Sequence, residues 1–230
     1  RILRGIDAGE RITVYGDYDV DGISASSLLY LFLKDCGADV NTYIPERKSE
    51  GYGLNIDALN HLAEAGTTLV VTVDCGISAV KEIAGAPKTL DIVVTDHHTP
   101  PEVLPEAYAL VNPHQKDCNY PFEHLSGVGV AFKLCQALYK MRFPDKPLWD
   151  GNTEFVALGT VADIVPLWGE NRALVKHGLK KMETTENIGL KALIEKSRCP
   201  VKDITSENIG FILAPRLNAV GRLEHAQLAV

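Results

Sequence analysis

Three carboxylates stand at alternate positions in Gly16-Asp17-Tyr18-Asp19-Val20-Asp21-Gly22. Packed so closely they repel one another unless a cation neutralises them. On an extended segment alternate residues point to one side, so the run reads as a cation-binding arm, with Gly22 freeing the turn and Ser24 capping the helix that follows. Three more segments carry acid or imidazole: Val73-Asp74-Cys75-Gly76, Thr95-Asp96-His97-His98, and Asp163 inside the apolar stretch 158–166 (LGTVADIVP). Taken singly, each has a plain explanation. An aspartate at a strand end is a turn or cap residue, a lone histidine a hydrogen-bonded surface group, and Asp163 a buried partner for an arginine. Their conjunction is harder to assign to chance, because an acid in apolar surroundings is costly unless paired or metal-bound. Carboxylates with one imidazole and no thiolate pattern suit Mn²⁺ or Mg²⁺ better than zinc. Five or six ligands exceed what one catalytic ion needs, and two ions about 3.5–4 Å apart, bridged by a carboxylate, fit the set. Such a pair activates water and stabilises the attacking and leaving oxygens of a phosphoester, so the inferred chemistry is phosphoester hydrolysis.

The elements that position these residues follow an alternating pattern. Runs 11–16, 40–44, 68–73, 91–95 and 108–112 read as strands, and 23–36, 55–65 and 78–84 as the helices between them. Continuous apolar strands separated by helices predict an α/β fold, a parallel five-stranded sheet covered on both faces, and ligands in such sheets sit beyond the carboxyl ends of the strands. After Pro113 the character changes to helical periodicity over 127–141, 153–164, 172–183, 190–196 and 206–217. Residues 1–125 are therefore expected to form the sheet part and 126–230 a mostly helical part. Residues 223–230 read as a helix cut in mid-turn, and Arg1 is not a start methionine, so a piece of a longer, truncated protein is expected.

The composition bounds the rest. The chain has 230 residues, 46% hydrophobic and 23% charged, an ordinary globular mixture that excludes collagen-like, low-complexity and disulfide-miniprotein classes. Its densest apolar run, 28–33 (LLYLFL), falls far short of the roughly 20 residues that span a bilayer. Five scattered cysteines with no CxxC pair favour reduced thiols and a cytoplasmic setting. A formal charge of −7 gives no long-range pull on phosphates, so if the substrate is a nucleic acid, metal ions or local cations must supply the positive charge.

The quoted segments are similar to those of a known family. Gly16-Asp-Tyr-Asp-Val-Asp-Gly, Val73-Asp-Cys-Gly and Asp96-His-His resemble the first three motifs of the DHH phosphoesterase superfamily, and 158–167 (LGTVADIVPL) resembles the fourth. Segments 47–55 (RKSEGYGLN) and 214–223 (APRLNAVGRL) resemble its RecJ branch, the single-strand-specific exonucleases. The resemblance covers nearly the whole chain. It implies that Asp17, Asp19 and Asp74 hold one Mn²⁺ and that Asp21, Asp74, His97 and Asp163 hold a second, with Asp74 bridging and Mg²⁺ as the alternative metal. His98 would face the scissile phosphate, and Asp96 would orient the histidine pair, as metal-bound imidazoles require. Arg47, beside a Gly-Tyr-Gly turn, and Arg216, Asn218 and Arg222, on a late helix, would grip the nucleotide backbone. The competing reading of Arg47 is a solvated loop residue, and of Arg216 an ion pair joining the helical part to the sheet. The resemblance further implies 5′→3′ digestion of single-stranded DNA in recombination and repair, with a helicase or single-strand-binding protein as partner and this part monomeric.

Two features depart from the family pattern: there is no GGGH-like glycine-rich segment and no OB-type module. The expectation is a catalytic core that binds metal but processes long strands poorly. Two other readings compete. One is a relative acting on short oligonucleotides, cyclic dinucleotides or pyrophosphate; those more often carry a histidine where this chain has Tyr15, and Asp17 here favours the exonuclease branch. The other is a non-catalytic replication scaffold of the same fold, which the complete ligand set opposes. Tyr30 and Phe32, central in an apolar helix, read as core.

Overall fold

The computed structural model describes residues 1–47, 49–223 and 225–230, without the side chains of 221–223. The β-branched runs form strands β1 (Arg11–Tyr15), β2 (Asp39–Tyr43), β3 (Leu69–Thr72), β4 (Asp91–Thr95) and β5 (Ala109–Val111). They pair in parallel in the order β2-β1-β3-β4-β5. Parallel neighbours need crossover connections, and helices α2 (Val20–Asp35), α3 (Ile56–Glu64) and α4 (Val80–Ala84) supply the first three. The chain runs outward from β1 to β2, then returns to β3 on the other side. That reversal opens a crevice beyond the carboxyl ends of β1 and β3.

Alternation along the strands sorts the two faces. Ile12, Val14, Val71, Val73 and Val93 join Leu28, Leu29, Phe32 and Leu33 of α2 in one core, and Val70, Ile92 and Val94 pack with Leu59, Leu62 and Ile83 of α3 and α4 in the other. The first core also takes in Val128, Ala131 and Phe132 of α5 (Gly127–Arg142) and Val156 of α6 (Thr153–Ala162), so sheet and helical segments share apolar interior. Helix α7 (Gly169–Met182) packs on α6, and α8 (Ile188–Lys196) closes a third cluster through Leu190 and Ile194.

The five strands and the parallel sheet agree with expectation; several boundaries do not. A short helix α1 (Ile2–Asp7) precedes β1 and buries Ile2 and Ile6. At six residues, with Gly5 inside, it is too short for its periodicity to stand out. Helix α2 begins three residues earlier than the expected 23, and Asp19, not Ser24, is its N-cap, accepting from Gly22 N at 3.0 Å. The carboxylate run is therefore not an extended arm. The expected helix 206–217 is α9 (Ser206–Asn208), a π turn over Ile209–Leu213 and α10 (Ala214–Leu223) in succession. Pro215 has no N–H to donate and crowds the preceding turn, and the wider π spacing accommodates it. Past α10, Ala226–Ala229 forms a 3₁₀ turn in place of a continuing helix, and Glu224 lies outside the described residues.

Because one core serves sheet and helices, the chain should unfold in a single transition. Phe132→Ala, which removes a buried ring between α5 and α2, should cost about 3–5 kcal/mol. That corresponds to a melting temperature on the order of 10 °C lower, read by circular dichroism. Two separate transitions would show that the parts fold apart.

Candidate metal centre

Six acids and two histidines converge on the crevice, each carried there by the end of an element. Asp17 follows β1, Asp74 follows β3, and Asp96, His97 and His98 follow β4. Asp19 and Asp21 occupy the cap and first turn of α2, and Asp163 is the C-cap of α6. The turn from β1 into α2 splits the aspartate run: oxygens of Asp17, Asp19 and Asp74 lie within 4.8 Å of one another, whereas Asp21 groups with His97 and Asp163. Asp74, His97 and His98 make a third such group, so Asp74 and His97 each belong to two.

Burial sets the electrostatics. Asp17, Asp21 and Asp74 are only 3%, 1% and 2% exposed. Burial, with the charge of Asp19 beside it, pushes the Asp17 carboxyl up to about 7, and the same two causes push Asp163 up to about 6. Asp21 and Asp74 are raised well above the usual carboxylate range, by burial and then by neighbouring acids. Asp163 sits where a helix terminus presents partial negative charge, which further disfavours an anion. Asp21 is the best supported: its two oxygens accept N–H bonds from Gly127 at 2.6 Å and Val128 at 3.0 Å, buried donors in the first turn of α5 that have no partner within the helix.

The histidines are held in two ways. His97 donates its backbone N–H to Asp96 Oδ1 at 2.7 Å, and burial, then the neighbouring His98 charge, draws its pKa down to about 4. Its Nε2 lies 3.0 Å from Asp74 Oδ1, 3.6 Å from an Asp163 oxygen and 3.9 Å from an Asp21 oxygen. Yet neither Nε2 nor Asp74 Oδ1 has a hydrogen-bond partner, nor does buried Asp17 Oδ1. Buried polar atoms are nearly always satisfied; three unpartnered acid and imidazole atoms facing one crevice are a donor set that fits a cation. His98 is half-exposed. Its Nδ1 is 2.7 Å from Asp96 Oδ1, a contact that raises its pKa. Burial alone would raise Asp96, but bonds from His98 and from the Ile77 backbone outweigh it and hold the carboxyl low.

With this geometry in view, similarity to known proteins becomes informative. Residues 11–160 match the DHH family, N-terminal domain. The chain belongs to the DHH family. It is 46% identical, over 100% of its own length and 29% of the relative's, to the single-stranded-DNA-specific exonuclease RecJ of Bacillus subtilis (strain 168). The crystal structure of exonuclease RecJ bound to manganese superposes with a TM-score of 0.88 at 36% identity, covering 99% of this chain and 57% of that one. The crystal structure of RecJ from Thermus thermophilus in complex with Mn²⁺ gives 0.84 at 34%, over 99% and 32%. This chain therefore spans about a third to just over half the length of these relatives. The donor set of its DHH segment, carboxylate oxygens with imidazole around orphaned atoms, fits a divalent cation of the manganese or magnesium kind.

The remaining candidates stand apart from this cluster. Arg47 places its guanidinium 5.2 Å from the Tyr18 ring centre. Tyr18 meets Tyr52 edge-on, and Tyr52 meets His98 the same way, with the Tyr52 hydroxyl 3.5 Å from His98 Nε2. Arg216 is exposed on α10 and donates to the Ile212 carbonyl one turn back, at 2.5 Å, in place of an acid of the sheet; Asn218 is half-buried on the same helix. The Arg222 side chain lies outside the described residues.

Sequence reasoning assigned no role to Tyr18, Tyr52, Gly127 or Asn112. A Cβ on Gly127 would come within 2.5 Å of the Asp74 carboxylate, so the start of α5 must be glycine for Asp74 to lie against it. Asn112, just past β5, donates to the His98 carbonyl at 2.9 Å. These are contacts between distant segments, and the local pattern carries no sign of them. Asp74 adopts φ 60°, a left-handed conformation Asp tolerates better than most residues, at a cost of order 1–3 kcal/mol.

Carboxyls raised in the fold bind protons that the unfolded chain has released. Stability from them is present below about pH 4 and lost as pH rises through 6 and 7. His97, lowered in the fold, opposes this by one proton below its unfolded value. In chelator the melting temperature should therefore fall between pH 6 and pH 8. Saturating Mn²⁺ should raise it by about 5–10 °C at pH 8 and by clearly less at pH 6. An equal gain at both values would contradict the buried-acid account.

Proposed function

We propose that this chain carries the metal-dependent phosphodiesterase centre of a single-strand-specific DNA exonuclease that releases nucleotides in the 5′→3′ direction. The observation that carries the reading is the set of unpartnered, buried Asp17, Asp74 and His97 atoms facing one crevice, in a chain similar throughout to RecJ exonucleases. In this reading Asp17, Asp19 and Asp74 hold one Mn²⁺, and Asp21, Asp74, His97 and Asp163 hold the second, with Asp74 shared; Mg²⁺ is the alternative. When bound, the ions lower the pKa of water and offset charge on the phosphate oxygens.

The chain's own residues supply the rest. His98, whose pKa the Asp96 contact at Nδ1 raises, faces the scissile phosphate with Nε2, from which a proton can neutralise a developing oxyanion or pass to the leaving oxygen. Asp96 also accepts from the His97 and His98 N–H groups at 2.7 and 3.1 Å, which fixes both rings against rotation of the loop. Asp21, bonded to α5, ties the ligands of the sheet part, 1–125, to Asp163 in the helical part, 126–230. Arg47, propped on Tyr18, grips a phosphate of the strand, and Arg216, Asn218 and Arg222 extend that grip along α10. A helicase or a single-strand-binding protein is the partner such a substrate entails.

The direct test is digestion of a 5′-labelled single strand with Mn²⁺, beside a blunt duplex and a dinucleotide. Mononucleotides should appear from the single strand and not from the duplex. Asp74→Asn should lower the rate by more than about 100-fold, and Arg47→Ala should raise KM about 10-fold with a smaller change in kcat. Cleavage of the dinucleotide alone would favour the small-phosphate reading.

A further inference from the structure

Beside the metal centre lies an aromatic cluster that the chemistry above leaves unused. Phe122, His124 and Trp168 meet edge to face: Trp168 is 5.3 Å from each of the other rings, at 82° to Phe122 and 62° to His124. Phe122 and His124 are 5.8 Å apart at 86°. The indole is 56% exposed and borders a cavity of about 160 Å³ lined also by Tyr120, Pro121 and Glu123. An exposed tryptophan held by two rings beneath it differs from one left free in solvent.

The cluster is built, and it is tied to the site on both sides. Gly127, whose N–H bonds Asp21 at 2.6 Å and which lies against Asp74, follows His124 by three residues, at most about 11 Å of chain. Trp168 follows Asp163 by five residues, at most about 17 Å of chain. Buried Asn171 clamps the two loops together, donating to the His124 carbonyl at 2.6 Å and the Pro166 carbonyl at 3.1 Å. Gly169, at φ 53°, lets α7 start against Phe122, where a Cβ would come within 2.7 Å of the ring.

Its chemistry selects the occupant. Glu123 and Glu170 flank the rings, and Glu170 is already engaged by Lys133 and by the Tyr120 hydroxyl at 2.7 Å. Acidic neighbours repel a phosphate. An unpaired base is neutral, presents a π-face, and stacks on aromatic side chains without regard to sequence.

We infer that Trp168, supported by Phe122 and His124, is a stacking platform for one unpaired nucleobase of the strand whose phosphate lies at the metal centre. The inference rests on the exonuclease reading. It adds a reason for single-strand preference, because a base inside a duplex has both faces covered by its neighbours.

The test is a thermodynamic cycle in an Asp74→Asn background with Mn²⁺, where strands bind and are not cut. Affinities are measured for an oligothymidylate and for oligonucleotides with one abasic position stepped along from the 5′ end. Trp168→Ala should weaken binding of the intact strand about 10-fold. It should change the affinity of the one strand abasic at the stacked position by less than 2-fold, and Trp168→Phe should restore most of the loss on the intact strand. The difference in fluorescence quenching between the Trp168 and Phe forms should vanish for that same abasic strand. Equal weakening of every strand by Trp168→Ala would overturn the platform and leave the nuclease reading standing. No binding of any strand, with no hydrolysis by the unsubstituted chain, would overturn both.

Discussion

Carboxylates crowded together out of water must either take up protons or share a cation, and this structure is organised around that choice. Asp17, Asp21 and Asp74 are nearly inaccessible, and Asp19 and Asp163 stand close to them. Hydrogen bonds satisfy only part of the group: Asp21 is met by two N–H donors at the start of α5, whereas Asp74 Oδ1 and Asp17 Oδ1 face the crevice with nothing to accept from. Apolar burial elsewhere, at roughly 1.5–3 kcal/mol per large side chain, offsets the cost of holding such a cluster together.

The fold concentrates these groups because of its topology. In a parallel sheet every strand ends on the same edge, and the order β2-β1-β3-β4-β5 puts the reversal between β1 and β3. Asp17 and Asp74 leave from those two ends, the Asp96-His97-His98 segment from the next, and Asp163 arrives from α6 across the shared core. The helical segment thus adds Asp163 to the Asp21–His97 group of possible ligands. Asp96 sets the histidines apart: His97 is desolvated, with its pKa drawn down to about 4, whereas His98 is half-exposed and its pKa is raised by the Asp96 contact.

Much of this was legible in the chain. Asp74 and Asp96 stand immediately after β-branched runs, so a parallel sheet places them on one edge, and the motif spacing matches the DHH family. What was not legible is instructive. The alternation of Asp17, Asp19 and Asp21 suggested an extended arm, but Asp19 caps α2 and turns Asp21 into the helix, sending it to a different group of ligands. The fit of Gly127 against Asp74 and the bonds from the Gly127 and Val128 N–H groups to Asp21 join residues far apart in sequence, and no periodicity encodes them. The helix expected over 206–217 is interrupted by a π turn over Ile209–Leu213, just before Pro215. The edge-to-face contacts of Trp168 with Phe122 and His124 likewise join separate segments.

The most direct test of the central claim is to count and characterise bound manganese. Titration of the metal-free chain with Mn²⁺, followed by electron paramagnetic resonance at saturation, should give two ions per chain with the exchange-coupled spectrum of a pair sharing a carboxylate. A single uncoupled ion, or none, would contradict an acidic cluster built around two cations.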